Sequence, residues 1–229
     1  MLAQPPRRWT VFTRSVVSAV GNPDAYLFRA LGDALAAAGY DALFFEDRAN
    51  PAAVELLRVR GARALDDLRA RHPSLHYRTV QPRGGLELAE WLGGVLATAD
   101  IAIVQHDAPA ELARAVGRLT RPHLQTFLLD SGLGVPLDES AVAERHPERL
   151  SGVFVGRANA ADAYAAIVSP DRLHRFGPPE VDDGPLDDGA PGIVATADEL
   201  VLAIARLAAG ERGTVPGTNG TSGGSGAER

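Results

Sequence analysis

The sequence contains no cysteine and no lysine, and these two absences exclude several classes of site. Without cysteine, the chain has no disulfide, no thiolate nucleophile and no Cys-ligated zinc. All 23 basic residues are arginine, so a P-loop lysine, a Schiff-base lysine and a lysine general base are also excluded. The composition favours Ala, Arg, Gly and Pro, which indicates a GC-rich genome, so codon bias accounts for part of the lysine absence.

Long apolar segments and runs of basic residues are also missing. The formal net charge is −6, and the arginines alternate with acids, so we predict no nucleic-acid partner. No apolar stretch reaches the length of a membrane span, and we expect a cytoplasmic protein. The histidines show no metal-ligand spacing, so no metal site is predicted.

What the sequence does contain is an alternation of strand-like and helix-like segments. Residues 22–39 predict a helix with Asn22 at the N-cap and Gly39 at the end, and residues 50–71 predict a helical region broken at Gly61. Further helices are predicted at residues 86–96, 108–119 and 159–167. Strands are predicted between and around them, at residues 9–15, 41–46, 75–80, 100–105, 123–129 and 152–155.

This alternation predicts an α/β fold with a single Rossmann-like, doubly wound parallel sheet of about six strands. The default strand order is 3-2-1-4-5-6. In such a sheet the ligand lies where the order reverses, between the loops that follow strands one and four.

The domain boundaries follow from composition. Residues 1–168 form the predicted Rossmann-like domain, and residues 169–191, rich in Pro, Gly and Asp, an irregular linker. Residues 192–212 are predicted to form a closing strand (192–195) and a helix whose capping box is Thr196 with Glu199. Leu200, Ile204 and Leu207 of this helix are expected to be buried against that last strand. Residues 213–229 form a Gly/Ser/Thr-rich tail that is predicted to be disordered.

The first candidate site is the turn after strand one. It lacks the spaced glycines of a dinucleotide-binding loop, so tight NAD binding by that route is not expected. Gly21 and Asn22 are candidate ligand-binding residues because the turn can direct backbone N–H groups at an anionic or sugar ligand. A plain helix cap explains the same residues.

Two further candidate sites follow strands four and five. His106 is a candidate general base, with Asp107 as the neighbouring carboxylate that orients it or binds ligand. Asp130 and Ser131 are candidates for holding a ligand hydroxyl, with Asp130 assigned to catalysis and Ser131 to binding. Surface or capping roles at the strand ends are the alternative for all four residues.

Several of these segments resemble the opening of GT-B glycosyltransferases, most of all the bacterial CgeB-like spore-maturation group. The first half of the resemblance comprises GNPDAYLFRAL at residues 21–31 and AGYDALFFE at 38–46. ADIAIVQH at 99–106, FLLD at 127–130 and LSGVF at 150–154 are similar to the later strands. Residues 192–194, 198–200 and 203–207 resemble the closing strand and helix of the second GT-B domain.

The resemblance implies the acceptor-side half of a hexosyltransferase. His106 would deprotonate the acceptor hydroxyl, while Gly21, Asn22 and Asp130 would position the sugar or other hydroxyl acceptor. No cofactor is implied beyond a possible nucleotide-sugar donor. Residues 168–192 are too few for a second, donor-binding domain, so a separate donor-binding subunit or a homo-oligomer is expected.

Two alternatives remain open at this point. The chain can be a non-catalytic binding or partner module that is derived from a glycosyltransferase domain. It can also be a different single-domain α/β enzyme acting on a phosphosugar or nucleotide, although no phosphate-binding loop is visible.

Overall fold

A computed structural model describes residues 7–19, 23–81, 83–133, 138–156, 158–177 and 191–209. Within these residues the chain forms one sheet flanked by helices. The strands are β1 (Arg8–Thr13), β2 (Asp41–Asp47), β3 (Tyr77–Val80), β4 (Ile101–Gln105), β5 (Gln125–Asp130), β6 (Gly152–Val155) and β7 (Leu173–Arg175). The helices are α1 (Asp24–Ala37), α2 (Pro51–Arg60), α3 (Arg63–Arg71), α4 (Gly85–Val95), α5 (Ala110–Gly117), α6 (Glu139–Glu144), α7 (Ala158–Ala165) and α8 (Pro191–Ala208).

The seven strands that the structure describes are all parallel and lie in the order β3-β2-β1-β4-β5-β6-β7. At the centre of the sheet, Val11 lies between Phe44 of β2 and Ile103 of β4. The predicted α/β class, the single Rossmann-like sheet and the order of the first six strands are therefore confirmed. The order reverses between β1 and β4, as in other doubly wound sheets.

Alternating side chains divide the core into two layers. Val11 points to the face that is covered by α1, α3 and α8, where Leu31 and Ile204 are buried. Its neighbour Phe12 points to the other face, where Leu92 of α4 is buried together with apolar residues of α5, α6 and α7. Because successive residues of a strand face opposite sides, one apolar strand supplies both layers.

Two glycines end helices where the sequence predicts it. Gly39 follows α1 with a φ of +79°, and Gly61 separates α2 from α3 with a φ of +61°. Glycine tolerates this left-handed backbone because it has no Cβ. The predicted apolar stripe of α1 is also confirmed, since Phe28, Leu31 and Leu35 are fully buried.

The seventh strand and α6 are absent from the sequence-based prediction. β7 is three residues long and lies inside the segment 169–191 that was predicted to be an irregular linker. It pairs with β6 at the edge of the sheet, with His174 opposite Phe154. A strand this short has no recognisable apolar pattern in its sequence, so it can be identified only from its pairing with β6. α6 has only six residues and is capped by the Asp138 side chain, which accepts from Ala141 N.

The predicted strand at residues 192–195 is wrong, because these residues form the first turn of α8. Ile193 and Ala197 continue the buried stripe of Leu200 and Ile204 at helical spacing. Thr196 is inside the helix and donates its hydroxyl to Gly192 O at 2.8 Å, so it is no N-cap.

α8 packs against α1 rather than against a last strand. Leu200 and Ile204 are fully buried as predicted, whereas Leu207 is only partly buried. The predicted tail, residues 213–229, lies outside the described residues. Among the residues that are described, no helix has the length and apolarity to cross a membrane.

Candidate functional site

The candidate site lies where the carboxyl ends of β1, β4 and β5 meet the first turn of α1. Residue 24 is the first residue of α1, and residues 106 and 131 follow β4 and β5 directly. This is the position at which open parallel sheets bind ligands. The chain therefore brings polar side chains from three loops to the expected crevice.

Asp24 is the centre of a buried hydrogen-bond network. Gln105 Nε2 donates to Asp24 Oδ2 at 2.8 Å, and the Ser131 hydroxyl donates to Asp24 Oδ1. Gln105 Oε1 in turn accepts from Thr13 Oγ1 at 2.6 Å and from Arg14 N at 2.8 Å. One carboxylate and one amide thus connect the ends of β1, β4 and β5 with α1.

Burial raises the pKa of the Asp24 carboxyl. The hydrogen bond from Ser131 and the nearby His106 oppose this rise, while the charge of Asp107 adds to it. A buried carboxylate is disfavoured unless hydrogen bonds replace its lost hydration. The Ser131 and Gln105 donors provide that replacement.

His106 lies beneath the surface, with 1% of its area exposed. Its Nδ1 is 3.9 Å from Asp24 Oδ2 and 3.9 Å from Asp130 Oδ1, beyond normal hydrogen-bond length. The backbone holds the residue in place, because His106 N donates to Leu129 O at 2.9 Å and Arg145 Nε donates to His106 O at 2.6 Å. The imidazole therefore faces two carboxylates rather than open solvent.

Asp130 is also buried and already has partners. Its Oδ1 accepts from Gly132 N at 3.1 Å, and its Oδ2 accepts from the Tyr164 hydroxyl at 3.3 Å. Burial and the nearby Asp130 charge raise the pKa of Tyr164, so this phenol stays protonated and donates. Asp130 thus fixes the turn after β5 and the position of α7.

Asp107 differs from the buried group because its side chain is 19% exposed. Asp107 Oδ2 lies 3.3 Å from the guanidinium of Arg14. Its other oxygen, Oδ1, is buried and has no hydrogen-bond partner among the described residues. A buried acceptor without a donor costs about 1–3 kcal/mol, and only the remainder of the Asp107 side chain is accessible to a ligand.

Asp107 lines a groove of about 400 Å³ at the carboxyl ends of β1, β2, β3 and β4. This volume is at the lower end of the range for small-molecule sites, about 300–1,000 Å³. The wall is built mainly from apolar side chains that α4, α5 and the strand ends contribute. They are Phe12, Phe45, Val80, Leu88, Trp91, Ala108, Pro109 and Leu112.

Three aromatic side chains in the lining of this groove pack against one another. The centroids of Phe12 and Phe45 are 5.7 Å apart with nearly parallel rings. Trp91 meets Phe45 edge-on, with 5.4 Å between centroids and 86° between planes. The Arg83 guanidinium carbon lies 5.8 Å from the centroid of the Trp91 ring, so it is positioned for a cation–π contact.

The loop after β1 is held by a second buried carboxylate. Glu46 Oε2 accepts from Ser15 Oγ at 3.1 Å and from Val16 N at 2.8 Å. Burial raises the pKa of Glu46, and these hydrogen bonds with the Arg29 charge oppose the rise. Arg29 completes the arrangement by donating to Val16 O at 2.6 Å. Glu46 therefore fixes the loop that leads towards α1.

A larger hollow of about 870 Å³ lies near β2, β3, α2 and α3. It is lined in part by His72 and His76, and His72 Nδ1 lies 2.7 Å from Asp33 Oδ2. We place the functional site in the smaller groove because that groove lies beside the point where the strand order reverses and contains Asp107.

Asp24, His106 and Asp107 have ligand-type atoms within 4.8 Å of one another. A cation at this point would compete with existing hydrogen bonds, since both Asp24 oxygens already accept. Asp107 also has Arg14 beside it, which repels a cation. The donor set thus fits a hydrogen-bond network better than a metal site.

The structure brings His106, Asp130 and Ser131 into one cluster and places Asp107 at its solvent side. Gly21 and Asn22 lie outside the described residues. Asp24 and Gln105 were not among the site residues predicted from the sequence. Two features of the sequence could have indicated them: an acid in the first turn of the helix after β1, and one polar residue that ends the apolar strand β4.

Comparison with known proteins gives no family. No protein-family model matches the sequence. The curated proteins contain no match either. Several solved structures show partial similarity, among them the following two. One is the E. coli tRNA N6-threonylcarbamoyladenosine dehydratase TcdA, solved in complex with AMP (TM-score 0.40, 13% identity, 88% of each chain covered). The other is the Bacillus subtilis spore coat polysaccharide biosynthesis protein SpsE (TM-score 0.29, 14% identity, 92% of this chain and 71% of that chain covered). At these TM-scores the similarities carry no functional argument.

Proposed function

We propose that this chain is an acceptor-binding domain of glycosyltransferase type, and that its hydroxyl-bearing ligand binds in the groove beside Asp107. The observation that carries this proposal is the partly exposed Asp107 carboxylate in the wall of a small cavity at the carboxyl edge of the sheet. A ligand hydroxyl can donate to the exposed part of this carboxylate, whose Oδ2 lies beside Arg14. The resemblance to the opening of GT-B enzymes agrees with this ligand chemistry.

The charge of the groove argues against a nucleotide sugar at the same place. Four carboxylates and two guanidinium groups line it. The carboxylates belong to Glu46, Asp47, Asp107 and Glu111, and the guanidinium groups to Arg14 and Arg83. An excess of acids repels phosphates. We therefore propose that the donor is bound by a separate subunit or a second copy of the chain.

The position of His106 bears on catalysis. A general base must come within about 2.6–3.2 Å of the proton it removes, or act through one water. His106 is buried, and its Nδ1 faces Asp24 and Asp130. This geometry favours the second candidate function, a non-catalytic binding or partner module in which His106 shapes the loop beside the ligand.

A thermal-shift experiment tests ligand binding. A ligand that binds only the folded state raises the melting temperature. We expect small uncharged alcohols and phenols to raise it, and free nucleotides and UDP-, GDP- and TDP-sugars to leave it unchanged. Asp107→Ala should abolish the shift, whereas Asp66→Asn on exposed α3 removes the same charge and should preserve it. A shift with nucleotide sugars and none with alcohols would contradict the proposal.

A second assay separates the two candidate functions. The chain is mixed with a groove ligand and labelled nucleotide sugars, with and without a host-cell extract that can provide a donor-binding subunit. A glycoside that forms only with the wild-type chain, and not with His106→Ala, supports the acceptor half of a transferase. Ligand binding without any glycoside supports the non-catalytic module.

A further inference from the structure

We infer that the free edge of β3 takes an extended, acidic segment of a partner protein as an additional strand of the sheet. The inference concerns the larger hollow beside α2 and α3, and it does not depend on the proposed function. Its starting point is the place of β3 in the sheet. β3 is the first strand in the spatial order, and within the described residues only β2 pairs with it.

The hydrogen bonds between β2 and β3 show which backbone groups of β3 point outward. Val80 O accepts from Arg48 N at 2.7 Å, so Val80 faces the side of β2. Because successive residues of a strand direct their backbone groups to opposite sides, those of Tyr77 and Thr79 point away from β2. No described strand lies on that side, so the N–H and C=O groups of both residues remain for an incoming strand.

The larger hollow follows this edge. Its lining includes the consecutive residues 75–79, of which 77–79 belong to β3. Alternate side chains of a strand point to opposite faces of the sheet, so a cavity on one face contacts every second residue. Only the outer edge presents each residue in turn. The hollow, of about 870 Å³, therefore extends along the free edge of β3.

The charged side chains of the hollow favour an acidic partner. Arg48, Arg69 and Arg78 line it, and Glu46 is the only acid among its described lining residues. Glu46 is buried and already accepts hydrogen bonds from the loop after β1. Arg69 has Asp66 beside it at 3.5 Å, whereas the exposed Arg48 and Arg78 side chains form no ion pair or hydrogen bond within the described part of the chain. The chain has a net charge of −6, so this positive surface is opposite in sign to the protein as a whole and attracts acids.

The same arginines disfavour a second copy of the chain as the occupant. Pairing two β3 edges would bring like charges together across neighbouring strands, which destabilises the pairing. Charged side chains at a sheet edge are a common protection against association of identical chains. An acidic strand replaces that repulsion with attraction.

Two apolar side chains of α2 define the rest of the partner. Val54 is 50% exposed and Leu57 is 37% exposed, and both line the hollow. In an added strand, alternate side chains point either to the face that α2 and α3 cover or to the face of Arg78. We therefore expect a segment in which apolar and acidic residues alternate. In such strand addition, main-chain hydrogen bonds supply affinity and alternate side chains supply specificity.

Fluorescence anisotropy with labelled peptides and the full-length wild-type chain tests the inference. The probe has about six residues, the usual length of a strand, with Glu and Val in alternation. Two control peptides have the same sequence and carry N-methyl groups on one or the other set of alternate amides. We expect one control to bind about tenfold or more weakly, because it loses the hydrogen bonds to β3, and the other to bind like the probe. A peptide of alternating Arg and Val should not bind.

Backbone variants locate the edge. Thr79→Pro removes an outward N–H and leaves the pairing with β2 intact, since proline is tolerated in an edge strand where the N–H faces away from the sheet. It should weaken probe binding by about tenfold. Arg175→Pro is the matched control on β7, at the opposite edge. Because Phe176 N donates to Val155 O, the N–H of Arg175 also points outward, and this variant should bind the probe like the wild type.

Charge variants test the role of the arginines. Arg78→Gln should weaken probe binding several-fold, and the loss should shrink at high salt. Arg118→Gln removes the same charge at an exposed position directly after α5 and should leave binding unchanged. Circular dichroism melts check that each variant is folded, and the peptide comparison on the wild-type chain needs no variant.

Three results would overturn the inference. Equal binding of the probe and both methylated peptides would mean that the arginines attract acids without strand addition. No binding of any acidic peptide would mean that the edge takes no such partner. Wild-type dimers in analytical ultracentrifugation that are absent from Thr79→Pro would mean that a second copy occupies the edge. Because Asp107 is not involved, each of these results leaves the proposed function standing.

Discussion

Gln105, the last residue of β4, donates a 2.8 Å hydrogen bond to Asp24, the first residue of α1. The bond crosses the point where the strand order reverses, and both side chains are buried. Ser131 reaches the same carboxylate from the end of β5. The carboxyl edge of the sheet at this point is therefore built on a polar network that joins three loops rather than on independent turns.

Replacing Asp24 should destabilise the fold strongly. Asp24→Ala leaves the Gln105 amide and the Ser131 hydroxyl without their acceptor, so we expect a loss of about 2–4 kcal/mol in the free energy of unfolding. Asp24→Asn keeps one acceptor oxygen and should lose less. Urea denaturation measures both. An Asp24→Ala variant as stable as the wild type would show that the network contributes nothing to stability.

Glu46 should make stability fall as the pH rises. Burial raises its pKa in the folded state above the ordinary value of 4.5, so in the window just above that value the folded chain binds more protons than the unfolded chain. The free energy of unfolding contributed by Glu46 therefore decreases from pH 4.5 upwards until the carboxyl is ionised in both states.

Denaturation of the wild type and Glu46→Gln across this pH range isolates the effect. The variant cannot ionise, so the difference in unfolding free energy between the two chains should change with pH in this window. Glu55→Gln is the control, because Glu55 is exposed and its pKa is lowered by Arg58. Parallel pH curves for the wild type and Glu46→Gln would refute the assignment.

Gly156 should tolerate no side chain. A Cβ at this position would lie 2.2 Å from the backbone oxygen of Ser131. Because that oxygen belongs to the backbone, the clash can be relieved only if the backbone moves, which costs free energy. Gly156→Ala should cost about 3 kcal/mol through overpacking and displace Ser131 from Asp24. In Gly94→Ala, on an exposed helical position with open space around it, we expect a gain of about 0.5–1 kcal/mol instead. Equal effects on the two melting temperatures would contradict this account.

Arg145 should control the mobility of the loop that carries His106. It donates to the carbonyl oxygens of His106 and Ala141 at 2.6 Å and of Ala108 at 3.3 Å. Arg145→Met keeps much of the side-chain length but removes every donor. We expect it to accelerate hydrogen exchange at the amide of Ala108 while leaving that of Val11 in the sheet centre unchanged. Unaltered exchange at Ala108 would mean that the loop holds its position without Arg145.

The fold was largely predictable because its main elements carry their own patterns. β4 is a continuous apolar strand, and α1 has a buried stripe with a glycine after it. β7 carries no such pattern and exists through its pairing with β6. The start of α8 was misjudged because β-branched Ile193 and Val194 resemble a strand, although Ile193 also fits the helical stripe of α8.

The candidate site was only partly predictable. His106, Asp107, Asp130 and Ser131 stand out because polar residues directly follow apolar strands at the carboxyl edge of the sheet. The partnership of Asp24 with Gln105 and Ser131 depends on distances between elements far apart in the chain. The same holds for the groove, whose aromatic side chains Phe12, Phe45 and Trp91 come from β1, β2 and α4.

The packing of α8 on α1 also sets the order in which the chain can fold during synthesis. All seven described strands have been made once residue 175 has left the ribosome, but the face of α1 that contacts α8 is covered only after residues 191–209 follow. Contacts between elements so distant in sequence form late. A nascent chain paused before residue 191 would therefore expose the face of α1 that α8 covers to chaperones or to other unfinished chains.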